Sequence, residues 1–149
     1  MVDQNCAYCV EGDLVAKFGI KICELETSKV YLFKEQSHPG RCIVAHKKHV
    51  GDMNELTAEE RAAYFEDVAK VARAIMAAFH PDKVNYGAYG DTGHHLHFHL
   101  CPKYKDEFEW GGVFLMNPDK KHLSDAEYAE MIEKIKSHLY NEKWTAALG

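Results

Sequence analysis

The chain has 149 residues, 46% hydrophobic and 28% charged, which is the size and composition of one packed domain. Its 18 Lys and Arg against 23 Asp and Glu leave a formal charge of −5, which excludes a general polyanion-binding surface and requires a local site for any anionic ligand. No apolar run approaches the ~20 residues of a membrane span and no secretory leader opens the sequence, so a soluble, cytoplasmic protein is expected.

The first feature in chain order is "CAYC". Cys6 and Cys9 stand at the spacing of half a zinc site, and two thiolates need two further ligands to close a tetrahedron. A redox dithiol and two ordinary reduced cysteines are the alternatives. The dithiol should follow a strand and open a helix, whereas "CAYCVEGD" runs into Gly12 and Asp13. An odd total of five cysteines fits a reducing compartment better than a disulfide framework.

Five segments rich in β-branched or aromatic residues read as strands: "AKFGIKICEL", "SKVYLFKE", "RCIVAHKK", "KVNYGAYG" and "HLHFHLCPKY". Between the third and fourth, "LTAEERAAYFEDVAKVARAIMAAF" is the clearest helix. Thr57 caps it, Glu60 reaches back, and Phe65, Val68, Val71 or Ala72, Ile75 and Phe79 recur at helical spacing until His80-Pro81 ends it. "SDAEYAEMIEKIKSHL" repeats the capping relation with Ser124 and Glu127, and sets Met131, Ile135 and Leu139 on one side. This order predicts a single α+β domain over residues 1–149 with a five-stranded, mostly antiparallel sheet. The stretch "DEFEWGGVFLMNPDKKH" shows no regular pattern.

In the last strand His95, His97 and His99 alternate with Leu96, Phe98 and Leu100. Successive side chains of a strand face opposite ways, so the imidazoles share one face while the apolar residues anchor the other. Imidazoles about 6–7 Å apart repel when all are protonated, which leaves some neutral and free to act as ligand, base or nucleophile. Mere packing accounts for one histidine better than for three at strict period two, because histidine is not a strong strand former.

The run "HLHFHLC", His95 to Cys101, matches His-φ-His-φ-His-φ-φ and resembles the histidine triad (HIT) superfamily. "PGRCIVAHKKHVGDMNEL", the long helix and "NYGAYGDTG" extend the similarity over most of the chain. The resemblance implies a HIT-like fold, a homodimer joining two half-sheets, and a purine nucleotide site that cleaves a phosphoester, phosphoanhydride or phosphoramidate bond. It implies that His97 is the nucleophile, forming a covalent nucleotidyl-imidazole intermediate. His99 then contacts phosphate or the leaving group, and backbone N–H groups after the motif share the charge. A third-position histidine goes with hydrolase members, whereas the nucleotidyltransferase branch tends to carry glutamine there. His49 and His95 resemble the zinc ligands of members with an N-terminal C-x-x-C, which implies a structural Zn2+ held by Cys6, Cys9, His49 and His95, with His46 a rival to His49.

Asn85, Gly90 and Thr92 occupy places where the family contacts phosphate or allows close backbone approach; each also reads as a turn residue. Asp91 stands where many relatives have glutamine, and an acid beside a phosphate must be paired or turned away. Arg41 replaces a histidine common after Pro-Gly. It either clamps phosphate or sits at an exposed strand start. Glu35 or Gln36 is the candidate for holding the ribose. Phe33, Tyr86, Tyr89 and Trp110 are candidates for a base pocket or for core, and Gly111 and Gly112 give the loop after the triad unusual backbone freedom.

The expected function is hydrolysis at the α-phosphate of a purine nucleotide, a dinucleoside polyphosphate or a nucleoside phosphoramidate. The alternative is a nucleotide-binding regulatory module with little turnover. Removal of adenylate from nucleic-acid ends fits poorly, since this acidic chain shows no second, basic segment.

Overall fold

In a computed structural model that describes residues 3–140, all five predicted strands form one antiparallel sheet. They are β1 (Gly19–Glu24), β2 (Ser28–Phe33), β3 (Cys42–His46), β4 (Lys83–Gly87) and β5 (His97–Lys103), in the spatial order β1-β2-β3-β5-β4. The first two and last nine residues of the predicted domain lie outside the described part. No helix among the described residues is long and apolar enough to cross a membrane.

Period-two alternation gives this sheet two buried faces. Val30, Leu32, Cys42, Val44 and Leu100 point to one side, where α3 (Ala58–Phe79) and α4 (Asp125–Leu139) bring Tyr64, Val68, Val71, Ile75 and Ile135 against them. Tyr31, Phe33, Ile43 and Ala45 face the other way and meet Tyr8 and Val15. Those two residues come from single-turn helices, α1 (Ala7–Val10) and α2 (Asp13–Ala16), which the sequence reading missed. Cys6 thus does open a helical turn, but one that stops at Glu11.

The long helix starts as its capping pattern predicts. Glu60 N donates to Thr57 Oγ1 at 3.1 Å and Thr57 N donates to Glu60 Oε1 at 2.9 Å. It ends before Pro81, with His80 in the left-handed region at φ 50°. Ser124 and Glu127 form the same reciprocal cap on α4. Phe65 is 39% exposed, and Tyr64 takes the core position instead, donating to Val44 O at 2.7 Å. The spacing 64, 68, 71, 75 keeps to one helix face, and Phe65 lies at its margin.

Residues 106–122 contain no helix or strand and are held by side chains that cross to them. The Glu35 carboxylate accepts from Lys120 N at 2.6 Å and Lys121 N at 3.1 Å. Buried Lys103 donates to the carbonyls of Glu109 and Gly112 at 2.7 and 2.8 Å. His38 Nε2 lies 2.6 Å from Glu109 Oε1.

Candidate active site

The register of β3 against β5 sets Ile43 opposite His99 and Ala45 opposite His97, so both histidines fall on the face roofed by α1. β5 begins at His97; His95 therefore lies in the bend before the strand and not within it. Its ring nevertheless turns the same way, because the Tyr8 ring packs 5.4 Å from His95 and 5.0 Å from His97, centroid to centroid. All three imidazoles are buried.

Their partners fix their tautomers. A carbonyl oxygen only accepts, so His97 donates from Nδ1 to His95 O at 2.6 Å and keeps its lone pair on Nε2. By the same logic His95 donates from Nε2 to His46 O at 2.6 Å and keeps its lone pair on Nδ1. A guanidinium only donates, so His99 Nδ1 accepts from Arg41 Nη2 at 3.1 Å and its proton is on Nε2. Burial holds His97 below the ordinary imidazole range, against the bond to His95 O. Burial, then the Arg41 charge and His97, push His99 down to about 3. Burial pushes His95 down to about 4, against its carbonyl bond and helped by His49, His97 and His46. At neutral pH the triad is uncharged.

Four donor atoms converge beside it. Sγ of Cys6 and Cys9 and one ring nitrogen each of His49 and His95 lie within 4.8 Å of one another. Cys6 Sγ is 3.3 Å from His95 Nδ1, Cys9 Sγ is 3.3 Å from His49 Nδ1, and the two Nδ1 atoms are 3.1 Å apart. A tetrahedral ion with bonds of about 2.3 Å to sulfur and 2.0–2.1 Å to nitrogen needs ligand separations of this size. The donor set therefore fits such an ion, and the His95 tautomer presents the correct atom. His46 is not in the cluster. Its Nδ1 accepts from Lys48 N at 3.0 Å, and its contribution is the carbonyl that orients His95.

A cleft of about 770 Å3 opens onto the triad. Phe33, Tyr89, Asp91, Thr92, Met116 and Asn117 line it, together with all three histidines. Gly87 pairs with His99 across β4 and β5, and a Cβ there would meet Tyr89 at 2.5 Å and Phe114 at 2.9 Å; glycine allows both aromatics to close on that end.

Of the sequence candidates for phosphate or ribose contact, Thr92 lines this cleft, as do Asp91 and the base-pocket candidates Phe33 and Tyr89, while the others are placed elsewhere. Glu35 spends its carboxylate on Ser37, Lys120 and Lys121. Gln36 is buried in the β2–β3 turn, donating to Phe33 O at 2.5 Å and accepting from Gly40 N at 2.9 Å. Asn85 pairs with Cys101 in edge strand β4, and Gly90 lies beyond the lining, near Gly51 O. Arg41 is neither at an exposed strand start nor in the cleft, but buried behind His99. Besides His97 and His99 of β5, the main-chain run that lines the cleft is 91–95, ahead of that strand, and no residue between 100 and 115 lines it. Tyr86 and Trp110 do not line it. Tyr8, Met116 and Asn117 went unnoticed in the sequence, where only the placement of Tyr8 inside C-x-x-C was a signal.

Residues 19–106 match the HIT domain family. Among curated relatives, Protein hit of Bacillus subtilis is 30% identical over 123 residues, spanning 78% of this chain and 83% of that protein. The adenosine 5'-monophosphoramidase hnt1 of Schizosaccharomyces pombe is 29% identical over 141 residues, spanning 89% and 99%. Among solved structures, a histidine triad protein from Sinorhizobium meliloti superposes with a TM-score of 0.78 at 20% identity, covering 85% of this chain and 94% of the other. A Zn-bound histidine triad family protein from Mycobacterium smegmatis superposes at 0.65 and 21% identity, covering 95% and 96%. A neutral histidine strand on a roofed sheet face, and a family match that spans the strand and most of the sheet around it, lead to one assignment: the chain belongs to the histidine triad family.

Proposed function

We propose that the protein hydrolyses a purine nucleotide at its α-phosphate, with a phosphoanhydride or phosphoramidate bond broken and His97 as nucleophile. The observation that carries this reading is the His97 ring: Nδ1 is tied to His95 O, so the Nε2 lone pair is the free one, and the residue lines the cleft. In the first step Nε2 bonds to phosphorus as the bond to the leaving group breaks, and the leaving group departs with the electron pair and takes up a proton. In the second, water oxygen bonds to phosphorus and releases to solvent a proton that balances the one taken up by the leaving group, the P–N bond breaks, the mononucleotide leaves and the neutral imidazole returns. His99 donates from Nε2 to a phosphate oxygen, with the Thr92 hydroxyl available from the same cleft lining. The phosphoramidase name of the fission yeast relative supports the reaction class.

Zn2+ on Cys6, Cys9, His49 and His95 is read as structural, since four protein donors complete a tetrahedron and leave no position for substrate. The zinc-bound relative supports the ion's identity. β4 is an edge strand with Tyr86 about half exposed, which supports a homodimer built by pairing two copies of it; sedimentation of wild type and Tyr86→Lys reads this directly, the variant being monomeric. Residues 1–149 act as one domain in a cytoplasmic setting.

The test is mass spectrometry of the protein mixed with diadenosine tetraphosphate, an adenosine phosphoramidate or ADP. Cleavage of one, with an adduct on His97 and no turnover in His97→Ala, is the expected result. Bound nucleotide with neither product nor adduct favours the regulatory module.

A further inference from the structure

Arg41 is among the largest fully buried side chains of the protein, yet it forms no ion pair among the described residues. Its guanidinium lies 4.1 Å from the centroid of Phe33 and 4.9 Å from that of Phe114. Nη1 donates to Leu115 O at 3.0 Å, and Nη2 donates to Met116 O at 2.9 Å and to His99 Nδ1 at 3.1 Å. Every acceptor is neutral. No carboxylate touches it, Glu35 and Glu109 acting on it only through space, and the charge reaches His99 and the cleft beyond, where a phosphate anion would sit.

We propose that Arg41 is a positioning residue for His99: it fixes the ring with its proton on Nε2, aimed at the cleft, and binds that ring to the Leu115–Met116 wall. Three things follow from one side chain. The tautomer is set because a guanidinium cannot accept. Burial holds the ring neutral and the fixed positive charge against it adds to that, so His99 serves as a hydrogen-bond donor and not as an imidazolium acid. The wall follows because Met116, whose carbonyl Arg41 holds, lines the cleft beside His99. The charged or titratable groups facing His99 are Arg41 from the start of β3 and His97 along β5; Phe33 from β2 and Phe114 from the loop pack on it without titrating, and Gly87 of β4 lies opposite.

The inference rests on reading His97 and His99 as the phosphate site, but its first test needs no turnover. Side-chain 15N NMR of the full chain should show His99 as the Nε2–H tautomer, without titration between about pH 5 and 8. Arg41→Met should give mixed tautomers, a His99 pKa raised only part of the way toward ~6.5 because the ring stays buried, and a kcat lowered about 10- to 100-fold with KM little changed. Arg41→Lys, which keeps charge and donor, should retain the tautomer and recover most of kcat. A wild-type His99 that carries its proton on Nδ1, or that titrates near ~6.5, overturns the proposal, as do identical His99 signals in wild type and Arg41→Met. If Arg41→Met does not fold, the wild-type spectrum and Arg41→Lys still decide. A chain that turns over none of the nucleotides yet shows the expected tautomer defeats the hydrolase reading and leaves the positioning of His99 standing.

Discussion

His97 Nδ1 lies 2.6 Å from the carbonyl oxygen of His95, so the main chain of one triad member sets the proton of the next. Because the anchoring acceptor is backbone, replacing the His97 ring removes the nucleophile and leaves the acceptor in place. His97→Ala should lower kcat by at least about 1,000-fold while melting temperature and bound metal stay close to wild type. Steady-state turnover, metal analysis and thermal denaturation on one preparation check this; a variant with substantial turnover defeats the assignment of His97.

The metal cluster makes the opposite separation. Cys6→Ser, Cys9→Ser or His49→Ala should cut metal content first and lower the melting temperature by about 5–15 °C, with activity falling as the roof over the triad loosens. Chelation of wild type should mimic the variants. Full metal content in all three variants would rule this site out.

His99 also couples stability to pH. Its folded pKa of about 3 lies below the ~6.5 of an unfolded histidine, so between those values the unfolded chain binds one more proton. Its contribution is fully present above ~6.5, declines on acidification by up to ~1.4 kcal/mol per pH unit, and levels off below about 3. Urea unfolding of wild type and His99→Asn at two pH values isolates this. The advantage of wild type over the variant should shrink by about 2 kcal/mol from pH ~7 to ~5, and an unchanged difference would contradict the depressed pKa.

Glu35 supports a loop. Its carboxylate, held below the ordinary range by the N–H groups of Lys120, Ser37 and Lys121 against the effect of burial, is what fastens residues 120–121 to the end of β2. Glu35→Ala should cost about 1–2 kcal/mol by removing the acceptor that the part-buried N–H groups of Ser37, Lys120 and Lys121 share. Hydrogen exchange should speed up at Lys120 and Lys121. A variant of wild-type stability that only weakens nucleotide binding would return Glu35 to the ribose role.

The readable parts of this chain are those governed by local rules. Thr57 with Glu60 and Ser124 with Glu127 announce both long helices, and alternation announces the strands. The C-x-x-C pair and His49 meet His95 as the resemblance implies. Long-range partnerships were not readable. Glu35 and Gln36 look available for a ligand in sequence, but a loop some 85 residues later claims the first and the local turn claims the second. Arg41 reads as a phosphate clamp or an exposed cation until Phe33, Phe114 and two loop carbonyls are brought around it. Tyr8 was hidden because a four-residue helical turn has no periodicity to detect.

The roof formed by α1 changes what the beginning of this chain is for. Terminal residues are ordinarily expendable, and tags and trims are placed there on that assumption. Here the Tyr8 ring lies 5.0 Å from that of His97, Cys6 and Cys9 close on His95, and Asp3 borders the cleft. Residues 3–9 therefore form part of the wall beside the histidines, and a substitution at Cys6, Tyr8 or Cys9 acts on that wall directly.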